Sequence, residues 1–211
     1  GLPGIQISCY NTPDSGLHTM TWPHIIEWIG GAGWMAQHYF DYYLYTGDEK
    51  FLRERAMPFM REAMEFYEAF LVPNGDEYII YPSVSPENKP LNYPSDRHRS
   101  KCMMLTAVNS LMDIAIIKEL AKNLIISSEI TGMYKDDCGR WESIIKKLPE
   151  YMIGDGGAVK EWSSVELSDN NYHRHLSHLY PVFPGNEVTK KNNPRLFEAF
   201  YKSLKNRLII G

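Results

Sequence analysis

Apolar residues recur at helical spacing along much of the chain and predict its first elements. A helix is expected over 25–45, where the apolar side chains near helical spacing are Trp28, Met35, Tyr39 and Tyr42. Gly47 is placed to end this helix, because glycine readily adopts the left-handed conformation at a helix terminus. Asp48 then caps a second helical stretch, which Pro58 divides into a short first turn and a longer helix.

The first predicted helix contains the run Gly30-Gly31-Ala32-Gly33. Glycines weaken an exposed helix, so we expect them to allow close backbone approach to a neighbouring segment or a ligand. A phosphate cradle is not indicated, because the run lacks the lysine and the preceding strand that such a cradle requires.

Further helices follow the same pattern and predict helical hairpins. The turn at 46–48 is short enough to join the first two helices into an antiparallel pair. A second pair is expected from a long apolar pattern over 103–130, ending at Gly132, and an amphipathic segment over 137–148. A last helix is predicted over 194–208, with Pro194 at a favoured first-turn position. The pattern therefore predicts the all-α class.

Long polar segments at 74–99 and 151–193 separate the predicted helices. Loops of this length in a compact domain are usually functional, so chemistry is expected there. A few short strands, at 78–81 and 158–161, are expected within them. The length of 211 residues favours a single domain over 1–211.

Composition and charge restrict the class of partner. Hydrophobic residues at 44% and charged residues at 23% are typical of a globular chain. A net charge of -4 supplies no cationic surface, so neither a nucleic acid nor an anionic membrane is an expected partner. No apolar run is long enough to cross a bilayer. The chain opens on Gly1 rather than Met, which suggests that something preceded it, and a lost export signal is compatible with that.

Aromatic residues make up 13% of the chain, with 14 Tyr and 5 Trp, and many of them lie in polar loops beside Asn, Asp and His. Such surroundings suit sugar rings, which stack on aromatic faces while their hydroxyls form hydrogen bonds. Packing between helices is the alternative for any single aromatic. The three cysteines, Cys9, Cys102 and Cys138, form no CxxC pair and are expected to be reduced thiols.

The segment 82–88 is the first candidate for chemistry. Pro82 and Pro86 stiffen the backbone around Glu87 and would fix the direction of its carboxyl group. A general acid must be held in this way, so Glu87 is the candidate catalytic residue. The alternative is that Glu87 caps a turn or forms a salt bridge.

The second candidate segment contains Glu161-Trp162 and then a run of histidines and one arginine at 173–180. The histidine spacing gives no i, i+4 pair and no HExxH motif, so no metal site is expected. Arginine and histidine would serve better as donors to sugar hydroxyls and to a developing negative charge. His178 has a competing interpretation as a packed core histidine.

Several segments together resemble the catalytic domain of glycoside hydrolase family 95: GAGWMAQH at 31–38, TGD at 46–48, PSVSPEN at 82–88, EW at 161–162 and HRHLSHLY at 173–180. The resemblance extends roughly from Trp22 onward. It implies an (α/α)6 toroid of helical hairpins and inverting exo-glycosidases that act on α-L-fucosides or, in some members, α-L-galactosides. No cofactor is expected.

The same resemblance implies roles for individual residues. Glu87 matches the general acid, Arg174 and His175 match sugar-binding positions, and Trp34 matches a ring-contacting aromatic. Two further substrate-binding residues are implied, Glu161 and His38. The expected partner is the glycan of an oligosaccharide or glycoconjugate.

The sequence also departs from the family pattern. Neither the Asn-x-Asn segment nor the Asp-Gly-Asn-Phe-Gly segment that positions the attacking water is found in the 211 residues. Twelve helices also need more residues than the chain has. We therefore expect part of a toroid with an incomplete active site, inactive or nearly so by itself. An α-L-galactosidase, another six-hairpin glycosidase, a non-catalytic carbohydrate-binding protein and a plain helical domain remain as alternatives.

Overall fold

A computed structural model describes residues 1–7, 11–12, 16–17, 27–93 and 106–210. The chain divides into two compact units. The first comprises Gly1–Ile7, Ile29–Ile79 and Ile116–Leu148, and the second comprises Ser8–Trp28, Ile80–Ala115 and Pro149–Gly211. The expectation of a single domain over 1–211 stays a prediction.

The first unit contains the predicted helical hairpin. Helix α1 (Gly31–Thr46) ends at Gly47, whose φ of 67° is left-handed as expected. Asp48 caps the next helical run, because its carboxylate accepts the backbone N–H of Phe51 at 2.9 Å. Both terminus predictions are confirmed.

Helix α1 begins later than its predicted start at residue 25. Residues 25–26 lie outside the described residues, and residues 27–30 are not helical. The carbonyl of Ile29 accepts the hydroxyl of Tyr67 at 2.8 Å, so a tertiary contact takes the place of a helical hydrogen bond.

Gly33 explains the glycine-rich start of α1. A Cβ atom at this position would lie 2.3 Å from Cγ2 of Ile116 and 2.8 Å from the hydroxyl of Tyr67. The backbone N–H of Gly33 also donates to that hydroxyl at 3.3 Å. The expected close approach is therefore to a neighbouring segment of the same unit.

The second helical run is divided close to Pro58. It comprises α2 (Glu49–Phe51), a π-helical turn (Leu52–Ala56) and α3 (Met57–Phe70). Pro58 is the second residue of α3, directly after the π turn, and it has no N–H to donate to the preceding helical turn. The division is thus present, and it takes the form of a π turn.

The long helix α4 (Leu111–Thr131) begins later than the predicted residue 103. Residues 103–105 lie outside the described residues, residues 106–110 are not helical, and Asn109 has a φ of 52°. The backbone of Ala107 instead pairs with Ser83, and that of Ser110 with Trp162. These pairings use the groups that a helix would need.

The helix α5 (Cys138–Lys147) follows a short turn in which Gly132 has a φ of 76°. Lys146 and Lys147 lie in its last turn, as the helix dipole favours. Cys138 is a free thiol, whereas Cys9 and Cys102 lie outside the described residues.

Short strands occur in the loops. Strands β1 (Asn11–Thr12) and β2 (Gly16–Leu17) pair antiparallel, as do β3 (Val72–Asn74) and β4 (Glu77–Ile79). The predicted strand at 78–81 corresponds to β4, and the one at 158–161 is reduced to a bridge between Ile153 and Val159. The prediction of an all-α chain with a few short strands in its loops is confirmed.

The second unit ends with α6 (Pro194–Ile210), which begins at the predicted Pro194. Phe200 of this helix is buried in a cluster with Leu111, Val159 and Val188. A second cluster joins Ala107, Trp162 and Leu167. Within the described ranges, each helix is too short or too polar to span a lipid bilayer.

Candidate functional site

The loop that carries Glu87 is fixed to the start of α4. The backbones of Ser83 and Ala107 exchange hydrogen bonds of 3.0 and 2.8 Å. The Ser83 hydroxyl donates to the carboxyl group of Asp113 at 2.7 Å and accepts the N–H of Ser110 at 2.8 Å. This end of the loop is therefore buried and hydrogen-bonded to a rigid helix.

Glu87 lies in a tight turn, which the N–H of Asn88 closes by donating to the carbonyl of Ser85 at 2.6 Å. Ser85, two residues before Glu87, and Asn88, directly after it, are anchored to Glu161. The Ser85 hydroxyl donates to one carboxylate oxygen of Glu161, and the Asn88 amide donates to the other, both at 2.6 Å. The turn is held from both ends.

Arg207 in α6 forms an ion pair with Glu161, and Nη2 lies 2.7 Å from Oε2. Both side chains are only 3% exposed. The Nη1 atom of Arg207 also donates to the carbonyl of His175 and, at 3.4 Å, to that of His173. A buried guanidinium thus fixes the backbone on each side of Arg174.

These anchors bring Glu87 together with Arg174 and His175. Nη2 of Arg174 donates to Oε2 of Glu87 at 2.5 Å, and Nδ1 of His175 lies 3.9 Å from the same oxygen. The side chains are 35%, 70% and 38% exposed for Glu87, Arg174 and His175. The hydroxyl of Ser177 donates to the carbonyl of Pro86 and ties the two loops together.

The exposed groups of this cluster suit sugar chemistry. A half-exposed carboxyl group can exchange a proton with a bound glycoside, and Arg and His can donate to its hydroxyls. No group of three or more His, Cys, Asp or Glu side chains suitable for a metal ion is found within the described part of the chain.

Burial changes the ionisation of the groups around the cluster. It raises the pKa of the Glu161 carboxyl, and the charge of Arg207 with the donors on Ser85 and Asn88 opposes that rise. Burial, with the charges of His175 and Arg207, lowers the pKa of His173 to about 4. A neutral His173 fits its role as acceptor, because its Nδ1 accepts the backbone N–H of His175 at 3.1 Å.

Two more buried groups have shifted pKa values. Burial raises the pKa of Asp113 to about 7, against the hydrogen bond from Ser83. Burial and the charge of Arg207 lower the pKa of His178 to about 3, and this side chain is 1% exposed. A buried, neutral His178 matches the interpretation of a core histidine.

The residues predicted from the sequence fall into two groups. Glu87, Arg174 and His175 lie together in one cluster of the second unit. Glu161 is buried beneath this cluster and binds the turn that carries Glu87. Trp34 and His38 lie in α1 of the first unit, where Trp34 is half-buried and His38 is exposed. Their part in substrate binding stays a prediction.

Arg207 was missed by the sequence analysis, as were the anchors Ser85 and Asn88. Arg207 lies in an ordinary amphipathic helix, and nothing in its local sequence distinguishes it from a solvated arginine. Ser85 and Asn88 lie within two residues of Glu87, so proximity to a candidate acid was the signal that could have identified them.

Comparison with known proteins indicates the family. Residues 7–211 match the model of the glycosyl hydrolase family 95 catalytic domain. The chain is 32% identical over 185 residues to Alpha-L-fucosidase 2 of Arabidopsis thaliana. This alignment covers 85% of this chain and 21% of the relative. It is 29% identical over 186 residues to the protein named "Probable alpha-fucosidase A" of Aspergillus niger, and this alignment covers 82% of this chain and 22% of that relative. The chain therefore spans about a fifth of the length of these relatives.

Proposed function

Because the chain belongs to glycosyl hydrolase family 95, we propose that the protein containing it hydrolyses α-L-fucosides with inversion at the anomeric carbon. The names of both relatives support fucosides as the substrate class. The cluster of Glu87, Arg174 and His175 is the observation that carries the proposal, because it combines a proton donor with groups that bind hydroxyls.

Glu87 is the proposed general acid. Its turn is fixed at Ser85 and Asn88, so its carboxyl group can keep one direction relative to a bound glycoside. Partial exposure leaves that group accessible to the glycosidic oxygen. Protonation of this oxygen as the bond breaks lets the aglycone leave as an alcohol.

Arg174 and His175 are the proposed sugar-binding residues. The guanidinium of Arg174 is largely exposed, and its several N–H groups can reach hydroxyl oxygens of an incoming sugar. Nδ1 of His175 lies near the same carboxylate oxygen of Glu87 that Arg174 contacts. Both residues would therefore contact a sugar that Glu87 protonates.

Trp34 and His38 are proposed as substrate-binding residues on the family resemblance alone. The half-buried indole of Trp34 offers a face on which a sugar ring can stack. The exposed imidazole of His38 offers a hydrogen bond to a hydroxyl.

The base side of the reaction is proposed to come from residues outside these 211. Inversion needs a water activated on the opposite face of the sugar, with the two catalytic groups roughly 6.5–9.5 Å apart. The segments that position this water in the family are not found in the sequence. We therefore expect little or no turnover from this chain alone.

The test uses an extended polypeptide, in which this chain is joined to the segments that correspond to the remaining length of the relatives. Incubation with an α-L-fucoside, followed by proton NMR during the first minutes, is expected to show β-L-fucose before the anomers equilibrate. Initial formation of the α anomer would contradict inversion. Turnover of α-L-galactosides without turnover of fucosides would contradict the substrate, and binding without turnover would support a carbohydrate-binding protein instead.

A further inference from the structure

We propose that the buried pair of Glu161 and Arg207 is a positioning device that fixes Glu87 and Arg174 relative to each other. Both side chains are buried, and the pair acts through the two loops that it holds. This inference rests on the proposed function, because its readout is the efficiency of acid catalysis.

On one side, Glu161 uses both carboxylate oxygens to hold the Glu87 turn. Oε1 accepts from Ser85 and Oε2 accepts from Asn88, each at 2.6 Å. Asn88 in addition donates to the carbonyl of Asn170 at 3.0 Å, and Asn170 donates back to Asn88 at 3.1 Å. The turn therefore cannot shift without breaking charge-assisted hydrogen bonds in a buried setting.

On the other side, Arg207 holds the Arg174 segment. Its Nη2 pairs with Glu161 while its Nη1 donates to the carbonyls of His173 and His175. These carbonyls belong to the residues directly before and after Arg174. The planar guanidinium has its donors in a fixed fork, so it can serve the carboxylate and the carbonyls at once.

The pair thus joins segments that are distant in sequence. Glu161 lies 76 residues from Ser85 and 46 residues from Arg207. Without this pair, the acid turn and the sugar-binding segment could move independently of each other. A displacement of about 1 Å between such groups can reduce the rate by about a hundredfold.

Burial explains why a charged pair is present at all. A single buried charge is costly, whereas the carboxylate of Glu161 accepts from Ser85, Asn88 and Arg207, and a buried pair bound in this way fixes one arrangement of its neighbours. The backbone N–H of Glu161 is itself fixed, since it donates to the carboxylate of Asp169 at 2.8 Å. The device is therefore anchored at its own backbone.

The test is Arg207→Lys in the extended polypeptide, with Arg61→Lys as the matched control. Arg61 forms an ion pair with Asp137 at 2.9 Å in the first unit, whereas both loops belong to the second unit. Lysine keeps the charge at either position and loses the fork. Two substrates are compared: an alkyl α-L-fucoside, whose leaving group needs a proton, and α-L-fucosyl fluoride, whose leaving group needs little assistance.

Arg207→Lys is expected to lower kcat for the alkyl fucoside by about 10- to 100-fold while changing the fluoride rate much less. Arg61→Lys is expected to leave the ratio of the two rates unchanged. Equal losses on both substrates, or no loss on either, would overturn the positioning role.

A milder variant keeps the inference testable if Arg207→Lys does not fold. Ser85→Ala leaves the ion pair intact and removes one anchor of the Glu87 turn, so a smaller loss confined to the alkyl fucoside is expected. An unselective loss would overturn the inference.

Glu87→Gln measured on the same two substrates separates the two proposals. If Glu87→Gln is selective for the alkyl fucoside and the other two variants are not, only the positioning role fails. If Glu87→Gln reduces both rates equally or neither, the acid assignment fails and the positioning role fails with it.

Discussion

The guanidinium of Arg174 lies 2.5 Å from Oε2 of Glu87, although 87 positions separate the two residues in the chain. Neither residue lies in a helix, so the contact depends on how two long loops are held. Glu161 and Arg207 hold them at the residues that flank the contact. A carboxyl group and a strong hydrogen-bond donor are therefore presented together.

Replacing Arg174 with alanine is expected to weaken substrate binding and turnover. Hydrogen bonds to a charged group contribute about 1.5–3 kcal/mol, so kcat/KM for an α-L-fucoside should fall by about 10- to 150-fold. Steady-state kinetics on the extended polypeptide measure this effect. Arg195→Ala removes an exposed arginine of the same unit and is expected to change kcat/KM little. Equal effects of the two variants would contradict the role of Arg174.

Gly33→Ala is expected to destabilise the fold by about 1–3 kcal/mol, because its methyl group would overlap Ile116 and Tyr67. Gly139→Ala is the matched control. Gly139 is also helical, and a Cβ atom there meets nothing within 4 Å, so this variant should be neutral or stabilising by up to about 1 kcal/mol. Thermal unfolding of both variants measures the difference. Equal stability of the two would contradict the close packing at Gly33.

Asp113 is expected to make stability depend on pH. Burial raises its pKa from 3.8 to about 7 in the folded protein, so the folded state keeps a proton that the unfolded chain releases. This contribution to the free energy of unfolding is fully present below about pH 4, falls by up to about 4 kcal/mol as the pH rises, and levels off above about pH 7.

The stability difference between the unmodified protein and Asp113→Asn should therefore change across this range, as measured by denaturant unfolding at several pH values. Ser83→Ala removes a donor that opposes the rise in the pKa of Asp113. In this variant the fall in the free energy of unfolding should therefore extend to higher pH. A difference between the unmodified protein and Asp113→Asn that stays constant from about pH 4 to about pH 8 would contradict the assignment.

The helices were predictable because local signals determine them. Gly47 and Asp48 set the hairpin turn by backbone conformation and capping, and Pro194 set the start of the last helix. The early boundaries at 25 and 103 failed for another reason. There the backbone of Ile29 and of Ala107 bonds to distant segments, and such contacts leave no periodic signal in the sequence.

The candidate site was predictable only as far as its chemistry is local. The prolines around Glu87 and the Arg-His pair at 174–175 could be read directly from the sequence, and the structure brings these residues together. Arg207 could not be found in this way, because its importance comes from burial beside Glu161, 46 residues away. Glu161 was predicted to bind substrate on the resemblance. That role stays a prediction, and the contacts of its buried carboxylate support a positioning role.

Protonation of the glycosidic oxygen by the carboxyl group of Glu87 is the step on which the proposed function depends. Its most direct test is kcat/KM for an alkyl α-L-fucoside in the extended polypeptide carrying Glu87→Gln, beside Glu166→Gln, which changes an exposed carboxylate of the same unit. Loss of a general acid predicts a fall of about 10²- to 10⁴-fold for Glu87→Gln and little change for Glu166→Gln. Full activity of Glu87→Gln would show that Glu87 is not the general acid.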